Sequence, residues 1–529
     1  MVFYPLNASC SAYYHNDNSQ NDTHETRPEA QGPTASYAAT TRYANSNSES
    51  MPFTPTNYPT GKSEQLSSVS HALGFFKNVG MSAHYTLSDS TKSPDLQRVV
   101  YAALADVVRT NAILSAIPVD EASPEAYFAR LESIDLARCV FWKRRTRSTV
   151  QGEEDPELDA ILEEQHNTDL KTNYGYLPFW RLIILQDAGT DASFTASFIF
   201  HHSLGDGATG SIFHTFFLQA LNTAISLPSF LVHSSSIVTI DANIQLLSPL
   251  EQLHPLPINA NPRDHRDDGG KGLKEWFGNP IHTPLKTHYK TLYFSPTTTA
   301  IFAKRCKNNG ITVTSGLTAV LAGALFPALP AKIEALTGII PINLRPWLNL
   351  PANSADAAMG SFIDATKVQV RRSQYEQSGD DHVDRPHGLR AAHHTSQEIT
   401  SYLANASPTG EPYTSIAPFK LIPDVAAVFT SLLGTTRDAA FEVSNLGRFV
   451  PPPADQLRHG NGNDAHWRMG RMAFSRSAVA FGTAVTTSVV TGADGGLTLG
   501  VCWQDGVVDN DIVERVMRGI RERVEGDGF

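Results

Sequence analysis

Cysteine is scarce in this chain: there are four in 529 residues, at positions 10, 139, 306 and 502. No two form a CxxC pair, so the pattern indicates neither a zinc site nor a disulfide framework and points to a reducing compartment. Positive charge is short as well. Lys and Arg number 42 against 53 Asp and Glu, for a formal net charge of -11. That balance argues against an electrostatic footprint for nucleic acid. The short basic run Lys143-Arg144-Arg145 reads as a solvated strand edge or helix end. No stretch approaches the roughly 20 apolar residues that span a bilayer. A basic region followed by an apolar run is missing from the N-terminus, so no secretory signal is expected. The expectation is an intracellular, cytoplasmic protein, with peripheral association with endoplasmic reticulum or lipid droplets left open.

What is present fits a two-lobed globular chain, since single cores rarely grow beyond about 250–300 residues. The opening segment is rich in Ser, Thr, Asn, Pro and Tyr and has too little apolar surface to offset the entropy of ordering. Residues 1–65 are therefore expected to be a disordered tail. Residues 66–250 would form an N-terminal lobe, 251–290 a crossover and 291–529 a C-terminal lobe. Val79 to Leu87 alternates as a half-buried strand does. Ser93 and Pro94 are placed to cap and open a helix whose apolar face runs through Leu96, Val99, Val100, Leu104 and Val108. Leu182–Leu185, Phe194–Phe200, Leu336–Ile342, Ala484–Thr491 and Leu497–Trp503 read as strands. Ala493-Asp494-Gly495-Gly496 joins the last two as a hairpin. Thr314 is the expected cap of a helix through Leu317 and Leu325, and Asp509 precedes a terminal one. Residues 372–415 read as a loop-rich insertion. Strands and helices alternate in both halves, which favours an α/β fold.

The chemistry concentrates in Phe198-Ile199-Phe200-His201-His202-Ser203-Leu204-Gly205-Asp206-Gly207. Phe194, Ala196, Phe198 and Phe200 share one strand face, and parity extends it to His202. Two glycines close behind imply a tight turn. A histidine held at a strand end by such a turn is placed rigidly enough to act as a general base. Against that stands a core histidine with satisfied nitrogens. A metal reading of His201, His202 and Asp206 is weak, because adjacent strand residues point to opposite faces.

HHSLGDG resembles the HHxxxDG signature of the CoA-dependent acyltransferase superfamily, which includes chloramphenicol acetyltransferase, plant BAHD enzymes and condensation domains. Four further blocks resemble its fungal alcohol acetyltransferase branch: Leu73-Gly74-Phe75-Phe76-Lys77-Asn78-Val79, Pro178-Phe179-Trp180-Arg181-Leu182, Pro341-Ile342-Asn343-Leu344-Arg345-Pro346 and Val443-Ser444-Asn445-Leu446-Gly447. The plant DFGWG motif is replaced by Ser-Asn-Leu-Gly. The resemblance implies two chloramphenicol-acetyltransferase-like lobes with mixed sheets flanked by helices and a tunnel between them. It implies acetyl-CoA, or another acyl-CoA, as co-substrate, a small alcohol as acceptor, no bound cofactor, no metal and a monomer. His202 would be the general base, with no covalent enzyme intermediate. Asp206 would pair with an arginine to hold the loop, Arg345 being the candidate, although a His-Asp dyad is the competing reading. His201 would orient the turn, and Gly207 would keep the passage clear. Asn445 would be an oxyanion or substrate contact, or simply part of a turn. Thr486, Thr487 and Ser488 read as strand surface, and Tyr85 and Trp503 as core. The alternatives are a condensation- or cyclisation-type enzyme acting on a carrier-bound substrate, or a non-catalytic relative of the fold.

Overall fold

The computed structural model describes residues 53–526, 528 and 529, except 90, 92, 93, 148–152, 227–234, 263, 267, 268, 377–387 and 454–464. The first half holds strands β1 (Phe53–Pro59), β2 (Val79–Leu87), β3 (Ala116–Val119), β4 (Tyr127–Leu131), β5 (Ser133–Asp135), β6 (Val140–Arg144), β7 (Trp180–Gln186), β8 (Ser193–Phe200) and β9 (Ile237–Thr239). Its long helices are α1 (Lys62–Ala72), α2 (Leu96–Thr110), α3 (Pro156–Asn167) and α4 (Gly207–Ser226). The second half adds β10 (Thr287–Phe294), β11 (Ala335–Asn343), β12 (Ile363–Arg371), β13 (Ala439–Arg448), β14 (Trp467–Arg476), β15 (Thr483–Thr491) and β16 (Leu497–Gln504). Helices α5 (Pro296–Asn308), α6 (Val313–Ala328), α7 (Leu389–Ala404) and α8 (Asn510–Glu525) complete it.

Two mixed sheets organise the chain, in the orders β14-β2-β8-β7-β6 and β10-β16-β15-β13-β11-β12. Each has its own hydrophobic core. In the first, the alternating phenylalanines of β8 meet the apolar side of α4. The rings of Phe198 and Phe213 stack with centroids 3.9 Å apart. Burying one such ring contributes about 1.5–3 kcal/mol, which ties the strand before the motif to the helix after it. In the second, α6 is buried on nearly every side, as a core helix is when it is apolar all round. No single helix among the described residues is long and apolar enough to cross a membrane; α5 and α6 pass that test only as a pair bent by 102°.

Several expectations are corrected. Order begins before residue 66: β1 pairs with β4, and in α1 Ser63 through His71 are buried. This helix is rich in serine, and Ser63 bonds Ser361 across 2.7 Å, so its burial leaves no apolar stripe to read. The remainder of the expected tail lies outside the described residues. Ser93 also lies outside them, and the cap of α2 is Asp95, whose Oδ1 accepts the Arg98 N–H at 3.1 Å. A carboxylate at that place also meets the positive end of the helix dipole. Thr312 rather than Thr314 caps α6, accepting from Ser315 N at 3.0 Å. The insertion at 372–415 contains the sixteen-residue α7, which buries only Ala391, Ala392, Thr395 and Glu398. Its fully buried face is made of small and polar residues, with Leu389 and Ile399 only partly buried against the second core.

The lobes do not divide at residue 291 either. β10 starts at Thr287, inside the expected crossover, and β14 leaves the second half to pair with β2 at the edge of the first sheet. An unpaired β2 edge would expose a row of backbone donors and acceptors; β14 covers it.

Candidate active site

The motif sits where β8 ends. Phe200 is its last strand residue, His201 N still donates to Phe179 O at 2.9 Å, and the chain then turns, with Leu204 N on His201 O at 3.0 Å. Helix α4 starts at Gly207. The histidines therefore lie on the turn itself, and strand parity applies only up to Phe200.

Asp206 is fully committed. Its Oδ2 accepts from Arg345 Nη1 at 2.8 Å and from Phe362 N at 3.0 Å. Its Oδ1 accepts from Arg345 Nη2 at 3.0 Å and Thr209 N at 3.2 Å. The remaining Arg345 donors reach Ala358 O, Gly360 O and Asn343 Oδ1. Both residues are 2 % exposed. A fork of this kind satisfies two desolvated charges at once, and the carboxylate caps the first turn of α4 as well. Asp206 thus holds the loop, and the dyad reading has no spare oxygen to use.

His201 is held from the other side. Ser203 N donates to its Nδ1 at 3.0 Å, so the ring proton belongs on Nε2, which lies 3.0 Å from Glu121 Oε1. Burial pushes the imidazole down to about 4. His71 meets the same carboxylate through Nδ1, at 2.9 Å from Oε1, while Leu170 N donates to its Nε2 at 3.4 Å. Burial works against a charge on Glu121, but His71 and His201 outweigh it and hold the group near 2. The ligand-type atoms of His71, Glu121 and His201 fall within 4.8 Å of one another. His71 bonds the carboxylate through Nδ1, and His201 Nε2 stands within ion-pair distance of it. Asp206, taken up by Arg345, does not join the two motif histidines into a metal set.

His202 stands between these anchors, 3 % exposed. Its ring centroid is 5.6 Å from that of Phe76. Burial pushes its pKa well below the ordinary 6.5, and the nearby Arg476 cation adds to the shift. Arg476 ends β14, opposite Val79 of β2, and reaches Glu442 and Thr486 on the second sheet. The crossing strand thereby brings a cation to the ring from the far half of the chain.

Two expectations change at the margins of the site. A Cβ on Gly207 would come within 2.7 Å of Phe474 Cζ and 3.0 Å of Leu446 Cδ2. Close packing, not an open passage, demands the glycine. Asn445 gives Nδ2 to Thr314 Oγ1 at 3.1 Å and accepts from Gly447 N at 2.9 Å. With Gly447 at φ 76°, the amide closes a turn and joins β13 to α6, which favours its turn reading. A cavity of about 280 Å³ borders the loop at Ser203, Gly360 and Phe362.

Comparisons with known proteins give the family of this chain. A family model described as alcohol acetyltransferase matches residues 277–518. A probable alcohol acetyltransferase, crmB, of Aspergillus fumigatus is 47% identical over 465 residues, covering 87% of this chain and 97% of its own. The chain belongs to the alcohol acetyltransferase family. This acetyltransferase also shares its fold with a trichothecene 15-O-acetyltransferase from Fusarium sporotrichioides, at TM-score 0.64 and 14% identity, covering 91% of this chain and 100% of that one. The first condensation domain of the CDA synthetase follows at TM-score 0.53 and 11% identity, over 89% and 97% of the two chains. At such identities only the two-lobed fold carries over.

Each block quoted from the alcohol acetyltransferase pattern lies around the motif: Phe76 by the His202 ring, Phe179 by His201, Arg345 on Asp206 and Asn445 at the irregularity near the end of β13. Glu121, His71 and Arg476 were not legible as site residues. Glu121 stands 80 positions before His201 with no local pattern around it, and Arg476 enters only because β14 changes sheets.

Proposed function

We propose that this acetyltransferase moves an acetyl group from acetyl-CoA to an alcohol, with His202 as general base and no covalent enzyme intermediate. The observation that carries the reading is the division of labour in the motif. Asp206 and His201 are spent on holding the loop, while burial keeps the His202 imidazole neutral, the form a base requires. As the alcohol oxygen bonds to the acetyl carbon, the hydroxyl proton passes to the imidazole. The carbon–sulfur bond breaks, and the proton leaves with the CoA thiolate. Both substrates would approach through a tunnel between the lobes.

The test is a thiol-release assay with acetyl-CoA and a panel of alcohols. His202→Ala is expected to lower the rate by about 10²–10⁴-fold with folding retained. Equal rates for the two proteins would overturn the mechanism.

A further inference from the structure

The cavity beside the motif shares its wall with the loop. Ser203, the residue after His202, lines it together with Met359, Gly360 and Phe362. Hydrogen bonds fix that second segment to the motif. Asp206 N donates to Gly360 O at 3.2 Å, Phe362 N donates to Asp206 Oδ2 at 3.0 Å, and Arg345 Nη2 reaches Gly360 O at 3.2 Å. The clamp that sets the motif therefore sets the cavity as well, and a molecule seated there is held in a fixed register against the loop.

Wall chemistry narrows the occupant. Among the described residues no lysine or arginine lines the cavity, and Glu64 is its only acid. Nothing there matches the phosphates of CoA, which leaves this place to the other substrate. Burial, with the charge of Glu251, pushes Glu64 up to about 8, so it is uncharged at neutral pH. Three further polar side chains are already engaged: Tyr58 Oη donates to Gln245 Oε1 at 2.7 Å, Gln245 Nε2 donates to Asn243 O at 3.2 Å, and Ser203 Oγ meets His201 Nδ1 at 2.7 Å. Phe128, Leu246, Leu247, Met359 and Phe362 give the wall its carbon. A neutral, mainly apolar body gains most from such surroundings. A dry cavity of about 150 Å³ holds a benzene ring, so one of about 280 Å³ holds about ten non-hydrogen atoms.

We propose that this cavity seats the carbon body of the acetyl acceptor, a neutral and mainly apolar alcohol of about ten carbons, and that Leu246 and Met359 set the length it admits. The role as acceptor rests on the acetyl-transfer reading; the apolar subsite does not.

Thiol release from acetyl-CoA is measured with straight-chain primary alcohols from ethanol to dodecanol on wild type, Leu246→Trp and Met359→Ala, with melting curves to confirm that each folds. Every methylene taken into the cavity should raise kcat/KM by about fourfold. The gain should stop near about ten carbons. Leu246→Trp fills the cavity and should move that break to shorter chains; Met359→Ala widens it and should move the break to longer ones. Lost stability alone does not shift the break in opposite directions, and either variant suffices if the other fails to fold. A flat series, or the same break in wild type and every folded variant, overturns the subsite and leaves acetyl transfer standing. Binding of 1-octanol is followed by calorimetry on the same proteins without acetyl-CoA. Binding weakened about tenfold by Leu246→Trp, with no thiol release from any alcohol, upholds the apolar subsite and defeats the acetyl-transfer reading. Neither binding nor release overturns both together.

Discussion

Arg345 grips Asp206 with two parallel bonds of 2.8 and 3.0 Å between residues 139 positions apart. The loop that carries the motif is thereby clamped to the segment that follows β11. Removing one partner leaves a buried charge without compensation, so Asp206→Ala and Arg345→Ala are each expected to lose about 3–5 kcal/mol of stability. Arg345→Lys, a point charge with no fork, should recover only part of it. Urea unfolding of the three variants checks this, and wild-type midpoints in the alanine variants would contradict it.

Glu121 is the second anchor, and Glu121→Gln tests it. The amide removes the charge and sets an NH2 donor in place of an acceptor oxygen beside His71 Nδ1, which lies 2.9 and 3.1 Å from the two carboxylate oxygens, at a cost of about 1–3 kcal/mol. The expected result is a lower melting temperature and a lower kcat with little change in the KM for acetyl-CoA. An equal fall in stability with unchanged kcat would reduce Glu121 to a packing role.

The pH profile of the reaction follows from the burial of His202. Its imidazole stays neutral well below the ordinary 6.5, so kcat/KM should hold its plateau through that value and fall only at more acid pH. A limb centred at or above 6.5 in a stable protein is the contrary result.

Stability should depend on acid in a definite direction. Burial pushes His166 down to about 3 and His214 to about 4, both from an ordinary 6.5. Below 6.5 the unfolded chain takes up protons that the folded chain refuses. The stability present above 6.5 is therefore lost as pH falls toward 4, by up to about 1.4 kcal/mol per unit for each histidine. Glu64 has the opposite sign. Its folded value is raised from 4.5 to about 8, so its contribution is present below 4.5 and lost as pH rises toward 8. Melting temperatures of wild type and Glu64→Gln, measured across that range, should converge or cross as pH increases. Parallel curves would deny Glu64 its extra proton.

Gly207→Ala places a methyl against the Phe474 and Leu446 side chains. Overpacking of this kind costs about 1–3 kcal/mol, and the shift reaches the first turn of α4, beside the motif. Reduced stability together with reduced rate is expected, read from melting and thiol release on the same preparation.

The sequence by itself determined the strands and helices that carry a strong period and the motif they deliver. Alternation in β2, β8 and the β15–β16 hairpin, and the amphipathic stripes of α2 and α8, are local properties of side-chain spacing, so they can be read without the fold. The ordered blocks from Phe76 to Gly447 were enough to place the chain among the acyltransferases. Tertiary structure alone decided what holds the loop. Pairing β14 with β2 brings Arg476 to His202, and folding the serine-rich α1 into the interior brings His71 to Glu121 and Glu64 to the cavity. Those contacts join residues tens to hundreds of positions apart, through charges and hydrogen bonds that gain their strength only once water is excluded. No period in the chain records them.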